Sequence, residues 1–302
     1  MPKTAKQIEK ALNRIRDEYR PNEKEEAVLK MVYDRYDKMK NSEDRQRVMR
    51  MLDKWEKQWE SWREERSALQ KEDWQSNHSV PLTTSIVESA LAEMVDQSPR
   101  PLVLARSAED EPRAAVMKQI FEFTWEVANG DTQLYNIMKD ALIGGTGIGQ
   151  EYYLQERRMV KQVLTDPTTG KEKEVEEEVL EYDDVMLEAV KLQEFFVDEK
   201  ARDFDGPYAA RDCIRRYIMD IEDFRSYFSG PVWDALGNAK HVRPGGDTTY
   251  YEFFRPPDDI DSGDKVEVLW YWSRKPEDWL VIVANDVIVK MGPNPYNHKQ
   301  LP

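Results

Sequence analysis

Leu142-Ile143-Gly144-Gly145-Thr146-Gly147-Ile148-Gly149-Gln150-Glu151 separates two kinds of sequence pattern. Before it, apolar residues recur at steps of three and four, the spacing of a helix face. After it come alternating and β-branched runs, the spacing of strands. The glycines between them end a helix and bend the backbone where side chains would collide. The chain is therefore read as α+β: N-terminal helices followed by a largely antiparallel β-rich region. The block Gly144–Gly149 also invites a nucleotide-binding reading, and its context argues against one. A dinucleotide fingerprint follows a strand and opens a helix, the reverse of the order here. A phosphate loop ends in Gly-Lys-Ser/Thr, whereas here Gln150-Glu151 follow.

Upstream, residues 4–75 read as helices. Pro21 separates Ala5–Tyr19 from Glu23–Lys40, and Asn41-Ser42 caps a third helix. In that third helix Val48, Leu52, Trp55, Trp59, Trp62, Arg66 and Leu69 follow alternating steps of four and three, one stripe on one face. Trp55, Trp59 and Trp62 are expected to be buried, within the chain or against a neighbouring subunit. Pro81 opens a helix over Ile86–Asp96 that Ser98-Pro99 closes, and Leu102–Ala105 is a short strand candidate. Pro112 starts a helix carrying Val116, Ile120, Phe123 and Val127, stopped by Asn129-Gly130. Another helix spans about Thr132–Ile143.

Downstream, Gly149–Leu164 and Lys171–Val190 read as arms of a long hairpin turning at Asp166-Pro167-Thr168-Thr169-Gly170. The second arm carries Glu174, Glu176, Glu177, Glu178 and Glu181 and is expected to project into solvent. Asp220 caps a short helix, Ile221–Phe228, Gly230-Pro231 starts another, and His241–Thr248 is a loop. Strands are expected at Tyr250–Phe254, Val266–Trp272, Trp279–Ala284 and Val287–Lys290, with Asn285-Asp286 as a tight turn. Three regions result: helical 1–75, helical 76–145 and β-rich 146–302.

Lys+Arg is 44 against Asp+Glu at 59, a formal net charge of -15. Such a chain is a poor candidate for gripping a phosphate backbone, whose affinity comes from Lys and Arg displacing counterions. The single Cys213 excludes an intramolecular disulfide and suits a reducing compartment. No run approaches ~18 apolar residues, and nothing after Met1 resembles a signal peptide. A soluble protein made in the cytoplasm is expected. Asp198, Glu199, Asp203 and Asp205 depart from calcium-loop spacing, with Lys200 and Arg202 among them to neutralise the cluster, and are read as a solvated turn. His78, His241 and His298 have no ligand partner at zinc spacing. No Gly-x-Ser-x-Gly elbow occurs, and Cys213 reads as a buried, inert thiol. No catalytic, cofactor-binding or metal-binding residue is assigned, and the chain is read as not an enzyme.

Several pieces, in order, carry a resemblance. They are Asn77 to Pro81 before Ile86-Val87-Glu88, Pro99, the Gly-Thr-Gly-Ile stop after Leu142, Phe195-Phe196-Val197-Asp198 leading to Ala201, and Tyr208 to Arg211 with Arg215. Tyr250 to Phe254, the Val281–Val289 hairpin, and Pro295-Tyr296 with Leu301-Pro302 complete the series. Together they resemble the portal proteins of tailed bacteriophages. The resemblance implies a structural subunit of a homo-oligomeric ring, usually a dodecamer, at one capsid vertex of the virion. Double-stranded DNA is packaged and ejected through such a ring without sequence-specific binding. It implies as partners the major capsid protein, the terminase large subunit that drives packaging, and head–tail adaptor or tail proteins. It implies no membrane, and assembly in the host cytoplasm. The matched part corresponds to the outer wing. In the family further helices follow, so the chain is expected to be an N-terminal part that stops before the stem, clip and crown. Two other readings are another head-completion or capsid-associated protein, and a nucleotide-dependent enzyme using Gly144–Gly149.

Overall fold

The computed structural model describes residues 21–60, 80–96, 102–165, 172–202, 209–228, 233, 236–245, 264–274 and 278–295. The expectations for Ala5–Tyr19, Trp62, Arg66, Leu69, His78, Ser98-Pro99, the 166–170 turn, Asp203, Asp205, Gly230-Pro231, Tyr250–Phe254 and Tyr296–Pro302 lie outside the described residues. The chain divides into two compact units, one formed by Met1–Met51 with Leu192–Pro302, the other by Leu52–Lys191.

In the first unit, helix α1 (Glu23–Lys40) starts at a capping box. Asn22 Oδ1 accepts from the Glu25 N–H at 2.9 Å, and the Glu25 carboxylate accepts from the Asn22 N–H at 3.1 Å. Helix α2 (Glu43–Trp59) follows after Asn41-Ser42, and Ser42 Oγ accepts from the Arg45 N–H at 3.4 Å. The expected cap is therefore present.

Five strands form one sheet in the order β3-β4-β5-β6-β7, each pairing antiparallel with the next. They are β3 (Phe195–Val197), β4 (Asp212–Asp220), β5 (Lys265–Ser273), β6 (Trp279–Ala284) and β7 (Val287–Pro293). Side chains alternate between the faces of a strand, and here both faces are covered. Val266, Val268, Trp270 and Trp272 of β5 join a core with Phe224 and Phe228, which lie on and just after the short helix α6 (Ile221–Tyr227). Leu269 and Tyr271 face the other way, into a core with Val32, Tyr36 and Met39 of α1. Double burial explains why β5 and β6 read as nearly unbroken apolar runs. The β6–β7 turn uses Asn285 in the left-handed region (φ 45°), which Asn tolerates better than branched residues. The strands expected at 266–272, 279–284 and 287–290 are all present, within a residue or two at most ends.

The second unit contains α3 (Leu82–Val95), α4 (Glu111–Val127), α5 (Gly130–Gly144) and a two-stranded ribbon of β1 (Ile148–Thr165) with β2 (Glu172–Val190). Helix α5 is its hub, packing against α3, α4, β1 and β2. The ribbon is the expected hairpin, antiparallel from Ile148↔Val190 to Thr165↔Glu172, with an irregularity after Glu156 that leaves Glu181 as the extra residue. At about 3.3 Å per residue its 18-residue first arm spans roughly 60 Å. Leu102–Ala105, expected as a strand, pairs with no strand among the described residues, and Leu102 and Leu104 are exposed. Local β propensity does not make a strand without a neighbouring edge to bond.

The helix-to-strand switch falls where the sequence puts it, with α5 ending at Gly144 and β1 starting at Ile148. Each glycine has a different reason. Gly145 is the left-handed C-cap (φ 75°), its N–H reaching Ala141 O at 2.8 Å. Gly147 has no positive φ and is instead a close approach: a Cβ there would lie 2.2 Å from the backbone oxygen of Ile137. The start of β1 thus lies directly against the α5 backbone. Gly147→Ala is expected to cost about 1–3 kcal/mol by overpacking, and Gly145→Ala about 1 kcal/mol by backbone strain alone. Urea unfolding of the two variants checks this, and a Gly147→Ala protein as stable as the wild type would refute the close approach.

Candidate functional site

Most of the charge that the first unit buries lies where α1 meets the sheet. Val28, Val32, Arg35 and Met39 step along α1 by four and three, so Arg35 occupies a place in an otherwise apolar seam. It faces β4. Its Nε and Nη2 donate to the two carboxylate oxygens of Asp212, each at 2.6 Å, a planar fork-to-fork pair. Nη2 also reaches Asp198 Oδ1 at 3.3 Å, and Nη1 reaches Glu199 at 3.4 Å. Asp212 accepts a further hydrogen bond from the Tyr271 hydroxyl at 3.2 Å. The next residue, Tyr36, donates to Glu267 at 3.3 Å, and the buried Arg216 donates to the same oxygen at 2.7 Å. Tyr33 donates to the Asn285 carbonyl at 3.0 Å.

Arg45 of α2 makes a second attachment. It donates to the carbonyls of Phe195 (2.7 Å), Leu192 (3.1 Å) and Gln193 (3.0 Å), and its guanidinium lies 3.8 Å from the Phe196 ring centroid. A cleft of about 220 Å³ opens beside it, lined by Tyr36, Lys40, Met49, Phe196, Arg45 and Arg216 among others. Both arginines in the lining are tied to protein acceptors.

Four titration shifts in this unit fit a fastening, whereas burial lowers the Lys290 ammonium. Burial pushes the Tyr271 phenol up to about 12, and burial likewise raises Tyr33. The hydrogen bond to Asp212 raises Arg35 further. Burial raises the Cys213 thiol well above its ordinary value, consistent with the inert thiol expected from the sequence. All four shifts move ionisation further from neutral pH, opposite to what a general acid or base requires.

One expectation needs correction. The turn at 198–200 is only partly solvated: Glu199 and Lys200 are exposed, but Asp198 is 6 % exposed and also accepts from the N–H groups of Lys200 (3.2 Å) and Arg211 (3.4 Å). Its side-chain counter-ion is Arg35, from 163 positions earlier, and not the adjacent Lys200 or Arg202. No local spacing could show that. Within the single chain the tryptophan stripe is covered in part. Leu52 is buried, Trp59 is half-buried with the Lys139 ammonium 4.0 Å from its ring centroid, and Trp55 and Val48 are each 36 % exposed. The period placed these residues on one face correctly, but not all of that face is covered.

Among the described residues no group of three or more His, Cys, Asp or Glu is placed to hold a metal ion. No helix among them is long and apolar enough to cross a membrane. The Gly144–Gly149 block joins a helix to a following strand, the wrong order for a dinucleotide site. Sequence reasoning missed Arg35, Arg45 and Asp212. The available signal was a cation in the apolar seam of α1 and an acid heading a strand with apolar residues after it. Arg35→Met is expected to cost about 3–5 kcal/mol, because it leaves Asp212 buried without its cation. Adding Asp212→Asn should recover part of the loss, since a neutral amide is cheaper to bury than a charge. Equilibrium unfolding measures both, and a loss below about 1 kcal/mol would mean that α1 is held by apolar packing alone.

A sequence profile of the family described as phage P22-like portal protein matches residues 29–296. The match opens inside α1 and runs past β7, taking in most of both compact units. No curated protein gives a significant match.

Proposed function

The chain belongs to the phage P22-like portal protein family, and from that premise we propose that it is the subunit of a closed ring at one vertex of a phage capsid. DNA enters through the ring during packaging and leaves through it at ejection. The single observation that carries the reading is the family match over 29–296, nearly the whole chain. The family is structural, and the protein's work is to hold a tunnel open while the terminase large subunit moves DNA. The ring seats in the major capsid protein and later receives head–tail adaptor or tail proteins. Region 1–75 is an N-terminal helical region, and regions 76–145 and 146–302 are the helical and β-rich parts of a wing-like outer part of the subunit.

Two physical features support the reading. A net charge of -15 disfavours tight phosphate binding, and a tunnel through which DNA slides must bind it weakly. The titration of Arg35, Tyr33, Tyr271 and Cys213 is moved away from the range where proton transfer is useful. A closed ring is also how a head-to-tail interface terminates without making a fibre.

The purified full-length protein should sediment as one closed species of about twelve copies. It should leave a random duplex unshifted at roughly 0.15 M salt, where loose electrostatic binders already release DNA. Native mass measurement and a gel-shift assay decide both points. A protein that stays monomeric at every concentration, with no ring in the particle, would overturn the proposal.

A further inference from the structure

Helix α4 has 17 residues and none of them is buried. Yet it carries Val116, Met117, Ile120, Phe121 and Phe123, which are 56, 46, 52, 46 and 61 % exposed. Val116, Ile120 and Phe123 step by four and three along one face, and Met117 and Phe121 widen that face on one side. The charged pair Lys118–Glu122 (3.9 Å) lies on the opposite side of the helix. Within its unit α4 has few polar anchors: Thr124 Oγ1 reaches Asp184 at 3.5 Å, and Trp125 Nε1 donates to Asp131 at 2.8 Å.

A helix of this length is marginal in water on propensity alone, and most helices depend on a packed apolar face. The face of α4 has the composition for such packing and no cover among the described residues. Five large apolar side chains, each about half exposed, present roughly 400–500 Å² of apolar surface, near the upper end of what a monomer shows. That is also about the area of the apolar centre of a standard interface, which takes ~800 Å² from each partner. The cover must be permanent, because the helix depends on it. A partner that docks and leaves would strand the face in water at every cycle, and permanent interfaces are the more apolar kind.

We infer that the Val116–Ile120–Phe123 face of α4 is covered by a second copy of this chain, as one side of the subunit interface. The inference rests on the ring reading above, which supplies a neighbour present from assembly onward. In a ring each copy contributes two different surfaces, so α4 packs on a non-equivalent part of its neighbour and not on that neighbour's own α4.

The test uses the full-length protein with Ile120→Asp and Phe123→Asp together, and Leu236→Asp as a control at an exposed apolar residue of the first unit. Light scattering after size-exclusion chromatography reads assembly, and circular dichroism reads fold. The double variant should raise the dissociation constant of the ring at least 100-fold and leave a folded smaller species, while the control assembles normally. Should the double variant fail to fold, a photo-crosslinking benzophenone amino acid in place of Phe123, in an otherwise unaltered chain, still decides. It should give a covalent dimer of the purified protein. A ring unaltered by the double substitution, or crosslinks confined to one chain, overturns the inference and leaves the ring reading standing. A wild-type protein that never assembles overturns the ring reading and this inference with it.

Discussion

The pairing of Arg35 with Asp212 is the interaction on which the first unit depends. Its fork-to-fork geometry, with both hydrogen bonds at 2.6 Å, fixes the rotation of α1 about its own axis. That rotation turns Val32, Tyr36 and Met39 onto Ile214, Leu269, Tyr271 and Val283 and closes one face of the sheet. Apolar contacts alone are tolerant of small sliding, whereas a bidentate pair has one good geometry. Tyr36 with Glu267 and Arg45 with the carbonyls around Phe195 repeat the device on either side. The residues joined lie between 147 and 231 positions apart in the chain. The first unit therefore cannot form until the polypeptide has returned to β3–β7.

That separation explains what the sequence did and did not disclose. The switch at Gly144–Gly149, the hairpin after it and the closing strands all follow from local period and turn chemistry, and all are present. Asp198 looked solvated because its partner is not local. Leu102–Ala105 looked like a strand because propensity ignores whether an edge is available. The steps of four and three found α4 and the Trp55 helix, yet spacing states only which residues share a face. Whether the face meets its own chain, another molecule or water is a tertiary fact. Gly147 shows the same limit at the scale of one atom: a glycine was needed there, for the approach to Ile137 rather than for a positive φ.

The two units treat their apolar residues differently. The first encloses the large side chains of β5 and β6 on both faces of its sheet. Among the described residues the second leaves those of α4 uncovered, and it extends a two-stranded ribbon roughly 60 Å long, more than such a ribbon can stabilise by itself. Among the described residues the first unit thus covers the large apolar side chains of its sheet, and under the proposed ring a neighbouring subunit covers those of the second.

If the chain is a ring subunit at a single vertex of the particle, an asymmetric cryo-electron microscopy reconstruction of virions will show it. Density fitted by the β3–β7 sheet with α1 is expected at one vertex only, repeated about twelvefold around its axis. The same density at every vertex, spread over the shell, or confined to the tail would contradict it.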